Sequence, residues 1–93
     1  MAKTLQQKVV SALSKADLTL SCAESCTGGL IAKRITDVSG ASAVFHGGVV
    51  SYVNAVKQNV LGVSARDLEQ YGAVSAPVGR QMATGAARLL GTD

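Results

Sequence analysis

Two strand-like runs with a helical run between them constrain this chain more than any other feature. In the first, Leu18, Leu20 and Cys22 alternate with Thr19, Ser21 and Ala23, the period of a strand with two unlike faces. The second, residues 44–53, is apolar and β-branched and is interrupted by Gly47-Gly48. That reads as one strand with a bend or bulge at the glycines, or as two short strands. Between the runs, Leu30, Ile31 and Ile35 recur at helical spacing and end near Asp37. Strands separated by helices pack as layers, so the expected class is an α/β fold.

Helices account for the rest. Leu5, Val9, Ala12, Leu13 and Ala16 predict a first helix over 3–16. Asn54 is placed to cap a short helix carrying Val56, Val60 and Leu61, with Gly62 closing it. Ser64-Ala65-Arg66-Asp67 resembles a capping box with Asp in place of Glu, for a brief helix that stops at Gly72. Ser75 caps the last helix, Pro77 sits in its first turn, and Val78, Met82, Ala86, Leu89 and Leu90 form its stripe up to Gly91. The order is α-β-α-β-α-α-α. A sheet of two or three strands is too small to cover that many apolar stripes. Either the chain pairs with another copy, which makes a homo-oligomer the expectation, or more sheet follows Asp93.

Composition narrows the function. Hydrophobic residues make up 47% and charged residues 16% of the 93 residues, which marks one globular domain rather than a disordered chain. The net charge of +3 is scattered, and Lys33-Arg34 is the only adjacent basic pair. Nucleic-acid binders gather Lys and Arg on one face, often with stacking aromatics, so no nucleic-acid partner is expected. No apolar run approaches the ~18 residues of a membrane span. Two cysteines, Cys22 and Cys26, are too few for a disulfide scaffold, and a reduced, cytoplasmic setting is expected.

The chemistry concentrates at Ser25-Cys26-Thr27-Gly28-Gly29, where a strand hands over to a helix. Backbone N–H groups of a first helical turn point outward, glycines admit a ligand close to the backbone, and hydroxyls add donors. Such a place binds phosphate or carboxylate, or stabilises an oxyanion. Ser25 is a nucleophile if a base lies within reach. The plainer alternative is that Ser25 or Thr27 only caps the helix. Tyr52, at the end of the second strand, and Lys57, in the helix after it, form a second candidate. Ligands of open α/β sheets collect at the carboxyl ends of strands, so the two segments converge if the strands are parallel. Ser with Lys is one solution to amide hydrolysis; the alternative is a solvated lysine on a helix surface. His46, the only histidine, sits beside the Gly47-Gly48 bend and is read as exposed or structural, against a Ser-His-Asp triad. Cys22, Cys26 and His46 lack zinc-site spacing, and no metal or other cofactor is expected. Glu24 is the carboxylate nearest the site. It is placed to orient Ser25 or Lys57, to contact a ribose hydroxyl, to sit at the surface, or to receive a helix-end N–H.

Residues 22–29, Cys-Ala-Glu-Ser-Cys-Thr-Gly-Gly, resemble the A-E-S-C-T-G-G signature of the CinA C-terminal domain family. Thr36-Asp37-Val38-Ser39-Gly40-Ala41-Ser42 is similar to its T-D-x-x-G-(A/S)-S turn. Gly48-Val49-Val50-Ser51-Tyr52, with Asn54 and Lys57, is similar to its G-x-V-x-Y-x-N-x-x-K segment. Leu61-Gly62-Val63 and Tyr71-Gly72-Ala73-Val74-Ser75 resemble its L-G-V and H-G-A-V-S stretches. Each motif is modest alone; five in register are specific and cover nearly the whole chain. The resemblance implies a three-layer α/β/α sandwich, with residues 1–93 as the N-terminal part of one amidase-type domain, incomplete at its C-terminus. It implies hydrolysis of the carboxamide of nicotinamide mononucleotide to nicotinate mononucleotide and ammonia, in pyridine-nucleotide recycling. Ser25, Lys57 and Tyr52 fall on the family's catalytic positions. Glu24, Thr27, Gly28, Gly29 and Asn54 fall on its substrate-lining segment. The alternative is a truncated, non-catalytic nucleotide-binding or accessory module. Val53 and Ala55 depart from the family, which often has Ser and Glu there. The family's T-G-I-A-G-P-G-G loop has no counterpart before Asp93.

Overall fold

The computed structural model describes residues 2–93. Its elements are α1 (Leu5–Ala16), β1 (Leu20–Glu24), α2 (Leu30–Thr36), β2 (Phe45–Val50), α3 (Asn54–Asn59), α4 (Ala65–Tyr71) and α5 (Ala76–Leu90), with a 3-10 turn at Ala41–Ala43. The α-β-α-β-α-α-α order expected from the sequence is the order observed. β1 and β2 pair in parallel, with α2 as the crossover between them. The period-two alternation of β1 sends its side chains to opposite faces. Cys22 and Leu20 join Val10, Ile35, Ala41, Val44 and Phe45 beneath α1 and α2. Ala23 and Val49 pack against Leu61, Val63, Leu68, Val78, Met82 and Ala86 beneath α4 and α5. One sheet thus separates two apolar clusters, which is the α/β/α layering. Fully burying a valine such as Val78 is worth roughly 1.5–3 kcal/mol.

The interrupted second run is a single strand. Leu20 pairs with Phe45 but Ser21 pairs with Gly47, so His46 is the extra residue of a bulge just before the glycines. The bulge explains how the run bends without breaking in two. Gly48 is also a packing requirement, since a Cβ there would stand 2.7 Å from Cys22 Sγ.

Helix ends show where local signals sufficed. Thr4 and Gln7 form a reciprocal capping box that starts α1 at Leu5, two residues later than expected. Ser75 Oγ accepts from Val78 N, and Gly91 takes the left-handed conformation after α5. At α4, Ser64 Oγ accepts from Asp67 N, but the return arm of the expected box is missing. Gln81 of α5 replaces it: its Oε1 accepts from Ser64 N at 2.8 Å, and its Nε2 donates to Asp67 Oδ2 at 2.6 Å. Asn54 is not a cap. It is the first residue of α3, whose N-cap is Val53 and has no side-chain cap bond. No helix among the described residues is long and apolar enough to cross a membrane.

Candidate active site

Parallel pairing brings the ends of both strands to one edge of the sheet, where Glu24 faces Val50 in register. Ser51 locks the two ends together. It is wholly buried, and both its backbone N (2.7 Å) and its Oγ (3.2 Å) donate to the Glu24 carbonyl. Chain continuing from β1 therefore leaves beside chain continuing from β2. The first carries Ser25 and the second leads into α3 and Lys57.

Lys57 is not solvated on a helix surface. It is 1% exposed, and its Nζ donates to Ser25 Oγ at 3.2 Å and to the Tyr52 carbonyl at 3.3 Å. The one ion pair among the described residues joins Lys33 to Asp37, so Lys57 is buried without a carboxylate partner. Its backbone is bonded at both ends, with N donating to the Val53 carbonyl and O accepting from Val63 N beyond α3. Gly85 secures the chain just beyond α3: a Cβ at that position would lie 2.0 Å from the Leu61 carbonyl oxygen, so only glycine lets α5 approach so closely.

The turn between β1 and α2 depends on Gly28 and Gly29, at φ +65° and +106°. Those left-handed values are open to glycine and strained for other residues. Neither Ser25 nor Thr27 caps α2. Its N-cap is Gly29, with no side-chain cap. The cap comes instead from Glu24, whose carboxylate reaches over the turn. Its Oε1 accepts from Thr27 Oγ1 (2.6 Å) and Ile31 N (2.9 Å), and its Oε2 accepts from Ala32 N (3.0 Å) and Cys22 Sγ (3.7 Å). Of the roles open to Glu24 in the sequence, the one realised is partner to helix-end N–H groups. Burial works to raise its carboxyl, but the bonds from Thr27, Ala32, Ile31 and Cys22 outweigh it and hold the group below its ordinary value. The same proximity acts oppositely on Cys22. Burial first, then the Glu24 charge and hydrogen bond, push its thiol up to about 11, so it stays protonated and packs as a small apolar group.

The remaining candidates stand further out. The Tyr52 residue is 73% exposed and gives Lys57 only its carbonyl. Asn54 is exposed at the start of α3, and Cys26, Thr27 and Gly28 are exposed on the turn. His46 lies at the start of β2, the opposite end of the sheet from Ser25, and its Nδ1 pairs with the Leu90 carbonyl at 3.3 Å. A Ser-His arrangement is therefore excluded. No three metal-ligating side chains converge among the described residues. A groove of about 740 Å³ runs between α1 and residues 38–44, away from Ser25 and Lys57; the chemistry lies elsewhere than that void. Sequence reasoning gave Ser51 no role and could not have, because its partner is 27 positions away.

The comparisons agree with the motifs. A family model described as the CinA C-terminal domain matches residues 2–93. A CinA-like protein of Acaryochloris marina is 57% identical over 83 residues, which cover 89% of this chain and 20% of that protein. Among solved structures, the competence/damage inducible protein CihA of Agrobacterium tumefaciens superposes with a TM-score of 0.87 at 43% identity, covering 90% of this chain and 51% of that one. The competence damage-inducible protein A of Klebsiella pneumoniae superposes with a TM-score of 0.93 at 36% identity, covering 96% of this chain and 55% of that one. The chain thus spans about a fifth of the length of its sequence relatives and about half of the solved chains.

Proposed function

This chain belongs to the CinA C-terminal domain family, and from that premise we propose that Ser25 and Lys57 form the nucleophile–base pair of an amidase acting on the carboxamide of nicotinamide mononucleotide. The observation that carries the proposal is the 3.2 Å contact between Lys57 Nζ and Ser25 Oγ, made by a lysine buried without an ion-pair partner. A contact of that length is within reach for proton transfer.

The chemistry follows from the pair. For catalysis the hydrogen bond between them reverses, the Ser25 hydroxyl donating to the neutral Lys57 amine, which takes its proton as Oγ attacks the carboxamide carbon. The resulting ammonium returns that proton to the leaving nitrogen, and ammonia departs from an acyl-serine. Water, deprotonated by the same amine, then cleaves the ester to nicotinate mononucleotide and restores Ser25. The Tyr52 carbonyl, at 3.3 Å from Nζ, aims the amine at Ser25 throughout. Gly28 and Gly29 keep the turn free of side chains where substrate approaches, with Thr27 exposed on it and Asn54 exposed at the start of α3. The product, a pyridine nucleotide acid, places the reaction in pyridine-nucleotide recycling. No metal or organic cofactor enters these steps.

The test is ammonia release from nicotinamide mononucleotide. Ser25→Ala and Lys57→Ala should each abolish it while circular dichroism shows the fold intact. Full activity in Ser25→Ala would overturn the nucleophile assignment. A second reading, a module that binds the nucleotide without turning it over, is favoured by one observation: the Tyr52 residue stands largely exposed. Binding of the nucleotide with no ammonia released would select it.

A further inference from the structure

Glu24 aligns with the substrate-lining segment of the family, yet its atoms are engaged within the chain. It is 3% exposed. Each carboxylate oxygen already accepts from a backbone N–H that can only donate, Ile31 N at one and Ala32 N at the other. The remaining lone pairs take the Thr27 hydroxyl and the Cys22 thiol. Four donors on two oxygens fill the acceptor sites of an ionised carboxylate, which leaves none for a ribose hydroxyl. These partners bracket the 25–29 turn. Thr27 lies within it, Ile31 and Ala32 lie just past it, and the Glu24 carbonyl before it is bound by Ser51 N and Oγ. Without those anchors a turn with two left-handed glycines is free to sample other backbone conformations.

We infer that Glu24 is a positioning residue: it holds the turn between β1 and α2 so that Ser25 Oγ meets Lys57 Nζ, and it does not touch substrate. The inference rests on the amidase reading for its catalytic consequence, but the clamp itself does not. Charge is required because of the donor pattern. In Glu24→Gln the amide nitrogen must face a backbone N–H at one of the two positions, donor against donor. In Glu24→Asp the charge remains but the side chain is one methylene short of Ile31 and Ala32.

Three measurements on the intact chain test this. Amide hydrogen exchange at Ile31 and Ala32 reads the clamp. Titration with nicotinamide mononucleotide reads binding. Ammonia release, together with modification of Ser25 by phenylmethylsulfonyl fluoride followed by mass, reads positioning. In Glu24→Gln, exchange should speed up roughly tenfold, and turnover and Ser25 modification should fall by about a hundredfold, the scale of a misplacement near 1 Å. The nucleotide dissociation constant should stay within about twofold, the split a substrate contact would not show. Glu24→Asp should fall between wild type and Glu24→Gln, and it carries the test if the glutamine variant does not fold. Weaker nucleotide binding with unchanged exchange would overturn the inference, as would unchanged turnover and Ser25 modification with faster exchange. If the wild-type chain neither binds nor hydrolyses the nucleotide, the amidase reading alone fails. Glu24 is then judged on exchange and Ser25 modification, and if neither changes the inference fails too.

Discussion

Replacing Lys57 with methionine sets two effects of several kcal/mol against each other, and the structure predicts that they nearly cancel. Lys57→Met keeps most of the side-chain volume, so no cavity opens in the position that is now 1% exposed. Two hydrogen bonds are lost, to Ser25 Oγ at 3.2 Å and to the Tyr52 carbonyl at 3.3 Å. At about 1–2 kcal/mol each, their loss destabilises by about 2–4 kcal/mol. Against that, an amine buried with no carboxylate partner no longer has to be taken out of water, a penalty of roughly 1–3 kcal/mol for a polar group. Burying a thioether methyl instead adds roughly 1 kcal/mol. The two sides are of equal size, so stability should change by no more than about 1 kcal/mol, or the melting temperature by no more than about 8 °C for a chain this size. Urea denaturation with the slope m held constant measures it, alongside ammonia release, which should vanish. A variant that is inactive yet about as stable is the signature of a buried lysine kept for chemistry. If Lys57→Met proves less stable by more than about 1 kcal/mol at constant m, the lysine is a net contributor to the fold and the reasoning is wrong.

Gly85→Ala would ordinarily favour a helix by about 1 kcal/mol. Here the new Cβ would lie 2.0 Å from the oxygen, 2.8 Å from the carbon and 2.9 Å from the Cα of Leu61, all backbone. Overpacking of that kind reverses the sign, to a net loss of roughly 2 kcal/mol or more by thermal denaturation; an unchanged or raised melting temperature would contradict the packing. Glu24 links stability to acid. Its folded-state carboxyl titrates below the ordinary 4.5, so its contribution is complete above that value and is lost as pH falls through the lower folded one. Denaturation midpoints of the wild type should therefore fall as pH drops below 4.5, and Glu24→Gln should fall less steeply over the same range. Gln81→Ala removes both bonds that complete the α4 cap, to Ser64 N and Asp67 Oδ2, and should lower stability by about 1–2 kcal/mol. An effect below about 0.5 kcal/mol would show that solvent replaces them at no loss.

What could be read along the chain was what neighbouring residues settle among themselves. Apolar period set the order of helices and strands and the two faces of β1, because burial acts on residues two to four positions apart. Ser75 and Gly91 marked the ends of α5 because a cap is a contact within one turn. The motif at 25–29 was found because its glycines must sit at a strand-to-helix turn, whatever lies around it.

Tertiary structure decided the rest, and each instance is a polar group satisfied from a distance. Gln81 answered Ser64 across 17 positions, Glu24 capped a helix seven and eight residues ahead of it, and Lys57 met Ser25 across 32. No local physical signal foretold them, since a lysine on a helix or a glutamate after a strand looks alike whether solvated or buried; Lys57 was singled out by its place after the second strand and in a family motif. Parallel pairing of β1 and β2 turned both strand ends to one edge, and that arrangement, rather than any residue's neighbours in sequence, put a hydroxyl and an amine within hydrogen-bonding reach.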